Sequence, residues 1–177
     1  MPLTKLNSAS VIERLPIGSV IQTKKTQYID TTSVSLSANT DTTVDVLTLT
    51  ITPKSSSSII RLDTHVFHEW SDYNNPHDSA WYFYKGSTKL AAPVAGNRRT
   101  GISLSRITHE GTDVDSTPEV TYYSYFDSPN TTSEITYKVG IITQYAATLY
   151  INRTVGNTDA IDYERGISFI SAQEIKQ

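Results

Sequence analysis

The sequence has no cysteine, a single methionine, few charges and no long hydrophobic run. Without cysteine there is neither a disulfide framework nor a thiolate zinc site. That composition fits a chain that folds in a reducing cytosol and acts outside it. The opening residues, MPLTKLNSASVIERLPIGS, carry no apolar stretch of leader or membrane-span length, so neither a cleavable leader nor membrane insertion is expected. Charged residues make up 19% of the chain, with a formal net charge of −3 and a pI near 5.8. Nucleic-acid binding needs a basic face, so no such partner is expected. There is no phosphate loop, no dinucleotide fingerprint and no nucleophile elbow. No cofactor is expected, and the chain is not expected to be an enzyme.

Apolar residues amount to only 37%, and Ser, Thr and eleven Tyr fill the difference. Thr and Tyr favour strands, which points to an all-β fold in one domain. The stretch Glu119 to Thr143 reads as a hairpin around a turn at Asp127-Ser128-Pro129-Asn130. Val120, Tyr122, Ser124 and Phe126 point one way, and Thr121, Tyr123 and Tyr125 the other. On the return run Ile135, Tyr137, Val139 and Ile141 share a face. Further strands are expected at Val20 to Tyr28, Val34 to Leu36, Thr42 to Thr52, Ile59 to Trp70, Thr100 to Thr108, Ala147 to Val155 and Gly166 to Ile175. Ala80 to Tyr84 and Thr88 to Ala92 make a second hairpin. In Thr42 to Thr52 the apolar face changes near Val46-Leu47, as a bulge or burial on both sides requires. The expectation is an antiparallel jelly-roll-like sandwich of eight to ten strands without a helix, over residues 19–177. Residues 1–18 read as an extended arm, either a frayed tail or a docking peptide whose anchors are Val11, Ile12, Leu15 and Ile17.

Three clusters are candidates for function. His65, His68, His77 and Asp78 are the weak candidate for a metal. Ligands must converge within about 2 Å of one ion, whereas residues three apart on a strand start on opposite faces. Hydrogen-bonded loop polars are therefore the first reading of this cluster, and no metal is expected. Trp70, Asp72, Tyr73 and Asn74 combine aromatic rings with amide and carboxylate groups, as a glycan contact does. Tyr82, Tyr84, Tyr123 and Tyr125 are surplus to one small core and suit a subunit interface, where Tyr is enriched. Asn130-Thr131-Thr132 and Asn152-Arg153-Thr154 match the glycosylation sequon and read as turn and strand chemistry.

Several segments carry a family resemblance. They are Ile51-Thr52-Pro53 with the serine run and Ile59-Ile60, Tyr125 to Thr132, Thr136-Tyr137-Lys138-Val139, Tyr150-Ile151-Asn152-Arg153, Arg165-Gly166-Ile167-Ser168 and Gln173-Glu174-Ile175. With Leu3-Thr4-Lys5-Leu6 and Leu15 to Gln22, the chain resembles a module of tail-fibre-like and other virion structural proteins of marine and cyanobacterial tailed phages. The resemblance implies a jelly-roll-like homotrimer, similar to C1q or tumour-necrosis-factor heads, displayed on a virion and bringing no catalytic residues. Only about eighteen residues precede the head, without a collagen-like or coiled-coil shaft. The expectation is a short knob, or a capsid or tail decoration, that docks on other virion proteins through its arm. The alternative is a carbohydrate-binding head that recognises a host surface glycan.

Overall fold

The computed structural model describes residues 8–71, 78–105 and 115–177. Ten strands form two antiparallel sheets: β1 (Val20–Tyr28), β2 (Thr32–Leu36), β3 (Thr42–Ile51), β4 (Ile59–Trp70), β5 (Ser79–Lys85), β6 (Thr88–Leu90), β7 (Glu119–Asp127), β8 (Ile135–Thr143), β9 (Ala147–Ile151) and β10 (Ser168–Ile175). The larger sheet runs β1-β10-β4-β9-β2 with β7 also on β4, and the smaller runs β3-β8-β5-β6. The all-β sandwich expected from composition is the observed fold.

Strand β4 holds the larger sheet together. One edge pairs with β7 from Ile60 to His68; the other pairs with β10 from Ile59 to His65 and then with β9 from His68 to Trp70. Its inward side chains Ile60, Leu62 and Val66 are fully buried, as period-two alternation requires. They face Trp81 and Phe83 of β5 and Tyr137, Val139 and Ile141 of β8 in one continuous core. Fully burying an Ile, Leu, Val or Phe side chain contributes about 1.5–3 kcal/mol each, so this inter-sheet layer is the main source of stability.

The change of face in β3 is a bulge. Val44 pairs with Val139 and Thr48 with the adjacent Lys138, so residues 45–47 loop out of the ladder. The extra residues bring Val44, Leu47, Leu49 and Ile51 all into the core. Asp45 caps the bulge, accepting from Thr43 Oγ1 at 2.8 Å and Lys138 Nζ at 3.1 Å. These contacts, Thr43 first, hold its carboxyl below the usual carboxylate range.

The stretch Glu119 to Thr143 is not a hairpin. β7 pairs with β4 in the larger sheet, while β8 pairs with β3 and β5 in the smaller one. The connection crosses the sandwich because both strands bury one apolar face and the faces meet across the core. Packed sheets lie about 10 Å apart, which residues 128–134 span easily. Asn130 takes a left-handed φ of 53° in that connection. Two further expectations change. Among the described residues, Thr100 to Ser105 forms no strand; only Ser103 bridges Trp81, on the stretch of β5 not covered by β6. Residues 8–14 form a short helix, α1 (Ser8–Arg14), for which the spacing of Val11, Ile12 and Leu15 is the sequence signal.

Two buried carboxylates fasten loops to the sheets. Glu69 accepts from the backbone N–H groups of Thr117 and Val155, each at 2.7 Å. Glu174 accepts from Lys54 N at 2.7 Å and Ser55 N at 3.2 Å, which seats the serine loop. Asn152 is fully buried with φ 61°. Its Nδ2 donates to Tyr28 O and Asp30 O, and its Oδ1 accepts from Ser168 Oγ. The second sequon is therefore strand-end chemistry, with no amide free to carry a glycan.

Candidate functional site

The outer face of the larger sheet carries exposed aromatic side chains. Register sets its rows. Phe126, Arg61 and Gln173 lie side by side, then Ser124, Asp63 and Ser171, then Tyr122, His65 and Phe169, and lastly Val120 and Phe67. On β7, Val120 is 50%, Tyr122 56% and Phe126 60% exposed. The inward side chains of the same strand, Thr121 and Tyr123, are buried. A fully buried aromatic side chain removes about 150–250 Å² from water, so each of these two rings leaves on the order of 100 Å² uncovered.

The face is ordered by polar contacts around one carboxylate. Asp63 Oδ1 accepts from Arg61 Nη2 at 3.0 Å, Ser124 Oγ at 2.6 Å and Tyr122 Oη at 3.2 Å. The Arg61 guanidinium lies 6.0 Å from the Phe126 ring centroid. His65 stacks on Phe169 with centroids 5.7 Å apart and planes 5° from parallel. Partial burial among these rings lowers the His65 pKa, so its neutral form is favoured at neutral pH. Flat rings held by a salt-bridged row suit a protein surface, since aromatic residues and Arg are the groups enriched at interfaces.

Of the expected interface residues, Tyr82 and Tyr123 are enclosed within the chain. Tyr123 Oη donates to Tyr82 O at 2.8 Å, and its ring packs on Phe83 at 4.7 Å. Tyr82 lies on the outer side of the smaller sheet, yet it is fully buried. Its hydroxyl donates to Asp41 Oδ1 at 2.8 Å, the Lys89 ammonium sits 3.9 Å over its ring, and Tyr84 meets it edge-on. Burial and, for Tyr82, the Asp41 carboxylate push both phenols well above their ordinary range. Tyr84 and Tyr125 are half-buried, the latter against the core. Alternation divided β7 correctly, but the tyrosines with internal acceptors went inside and Val120, Tyr122 and Phe126 stayed out.

Trp70 is also interior. It is 5% exposed and stands edge-on to His68, so its ring cannot stack on an external sugar. Asp72, Tyr73 and Asn74 lie outside the described residues. The histidine cluster does not converge. His65 belongs to the outer face, whereas His68 is fully buried beside Trp81, with Nε2 2.8 Å from Thr121 Oγ1. Burial lowers the His68 pKa to about 3. Asp78 is exposed, and His77 lies outside the described residues. Among the described residues no group of three His, Cys, Asp or Glu is placed to hold a metal ion.

In the arm, Val11 and Ile17 are exposed while Ile12 and Leu15 are half-buried. Lys176 Nζ donates to Glu13 O and Leu15 O, both at 2.7 Å. Gly18 N and Lys176 O close the base of the arm at 2.8 Å. Ile12 and Ile21 line a cleft of 360 Å³ between the arm and the serine loop.

No protein-family model matches the chain, and no curated protein sequence does. Among solved structures it is similar to the infectious bursal disease virus VP2 subviral particle, with a TM-score of 0.43 and 11% identity. The match covers 88% of this chain and 41% of that one, so the chain spans about two fifths of its structural neighbour.

Proposed function

We propose that this chain is a non-enzymatic virion structural protein, a β-sandwich knob that assembles as a homotrimer and is anchored through residues 1–18. The observation that carries the assembly is the outer face on which Val120, Tyr122 and Phe126 are exposed beside the half-buried Phe67 and Phe169. Aromatic residues and Arg are enriched at interfaces, and a symmetric oligomer covers such a face with the same face or a neighbouring one. The number three and the virion setting come from the resemblance of its motifs to phage virion modules. The non-enzymatic reading is supported by the structural use of several acid–base side chains among the described residues. Glu69 and Glu174 are bound to backbone N–H groups, His68 is enclosed in the core, and Asp127 accepts from Lys85 and Tyr137.

The test is the solution mass of the purified chain by light scattering. Three chains per particle is the expected result. A monomer at micromolar concentration would refute assembly through this face.

A further inference from the structure

The loop after β6 folds back along β5 and leaves a cleft of 280 Å³ walled by Pro93, Ile102 and Leu104 and headed by Arg98, Arg99 and Thr100. Its back wall is fixed. Ile102 N donates to Trp81 O at 2.6 Å and Trp81 N to Ser103 O at 2.8 Å. Trp81 Nε1 donates to Ser105 Oγ at 2.8 Å. Gly101 permits this approach, since a Cβ there would sit 2.8 Å from both Ala80 Cβ and Trp81 O.

Two guanidiniums stand side by side at this cleft in a chain whose net charge is −3. Among the described residues neither is paired with a carboxylate; the four ion pairs use Arg61, Lys85, Lys89 and Lys138. Arg99 is oriented by Asn39, whose Oδ1 accepts from Nη2 at 2.6 Å, while its enclosed Nε has no acceptor among the described residues. Asn39 is itself held by its N–H on Thr143 O at 2.8 Å. Arg98 donates from Nη1 to Ala95 O at 3.4 Å, a long bond that leaves most of its donors for another acceptor. Two planar forks beside one cleft match a carboxylate, which accepts bidentately from guanidinium. The apolar wall and the Thr100 and Ser103 hydroxyls match the rest of a sugar ring, which offers a C–H face and hydroxyl groups. The volume lies near the lower end of the range for small-molecule clefts, about 300 Å³, which suits one sugar unit.

We propose that this cleft binds a carboxylate-bearing sugar, with Arg98 and Arg99 holding the carboxylate and Pro93, Ile102 and Leu104 packing on the ring. The site belongs to the smaller sheet, so assembly through the outer face of the larger sheet leaves it open, and it stands whether or not the chain oligomerises.

The experiment is an NMR titration of the full chain, read from its own backbone amide shifts, with three probes: methyl glucuronide, methyl glucoside and inorganic phosphate. Saturable binding of the glucuronide with none of the glucoside is expected. Arg98→Gln and Arg99→Gln should each weaken it about tenfold or more, the usual loss for one charged hydrogen-bond partner. Asn39→Asp supplies a variant that keeps both arginines and the left-handed backbone. Its carboxylate would occupy Arg99 and weaken the glucuronide similarly. Equal binding of glucoside and glucuronide, phosphate binding without glucuronide binding, or undiminished binding by the arginine variants would each overturn the proposal.

Discussion

His68 is a base placed where its charged form has no solvent. Its folded pKa, about 3, lies below the ordinary value of about 6.5. Between those values the unfolded chain binds a proton that the folded chain does not, so stability rises with pH across this window. It is fully present above about pH 6.5 and lost as pH falls towards 3. His68→Gln keeps a partner for Thr121 and removes the titration. Between pH 7 and pH 4.5 the wild type should lose roughly 2 kcal/mol more than the variant, read from urea midpoints at both values. Equal losses would show that the imidazole titrates normally. Gly140 carries a steric constraint of another kind: a Cβ there would lie 2.3 Å from the Tyr82 ring. That ring is pinned by Asp41, Ile141 O and Lys89. Gly140→Ala should cost about 1–3 kcal/mol, and the cost should shrink in a Tyr82→Leu background. An additive double mutant would place the strain elsewhere.

At the scale of elements, β7 shows how one strand serves two surfaces. Thr121 and Tyr123 close the core, and Val120, Tyr122 and Phe126 leave an aromatic ridge outside. Because the outer side chains contribute little to burial within the chain, Tyr122→Ser with Phe126→Ser should change monomer stability by only about 1 kcal/mol. The same pair should lower the solution mass from three chains to one. A trimer that survives the double substitution would move the interface off this face. The alternation in Glu119 to Asp127 is legible in the sequence, and so are the strand bounds of β1, β4 and β8. The partner of β7 is not legible. A polar turn between two alternating runs is also what a hairpin looks like, and only the packing of both apolar faces across the core sends the strands to different sheets.

For the whole molecule, the described part of the arm is tied to the sandwich by a few contacts. They include the Lys176 ammonium on Glu13 O and Leu15 O, and the backbone bonds from Gly18 N to Lys176 O and from Lys176 N to Ser19 O. Removing residues 2–17 should leave a head with an unchanged β circular-dichroism spectrum and a melting temperature within a few degrees, because no member of the main core is lost. The truncated head should fail to incorporate into particles. Normal incorporation would remove the anchoring role from the arm.

The sequence by itself determined the class of fold. Strand-forming residues at period two, interrupted by Ser, Asn, Pro and Gly, leave few alternatives to an antiparallel sandwich, and the absence of cysteine and of phosphate loops narrows the chemistry. It also marked the change of apolar face in β3, which a bulge or burial on both sides would explain, and a polar break around Asn130 between two strands. Tertiary structure alone decided which aromatics face outward. Tyr82 and Tyr123 found acceptors inside the chain, and Trp70 was enclosed by the core. The cleft headed by Arg98 and Arg99 was equally silent in the sequence. It exists because the segment after it pairs with Trp81, from the other side of the second hairpin, and because Asn39, sixty residues away, sets the guanidinium. Contacts between segments far apart along the chain carry no periodicity, and the sites of this protein are made of such contacts.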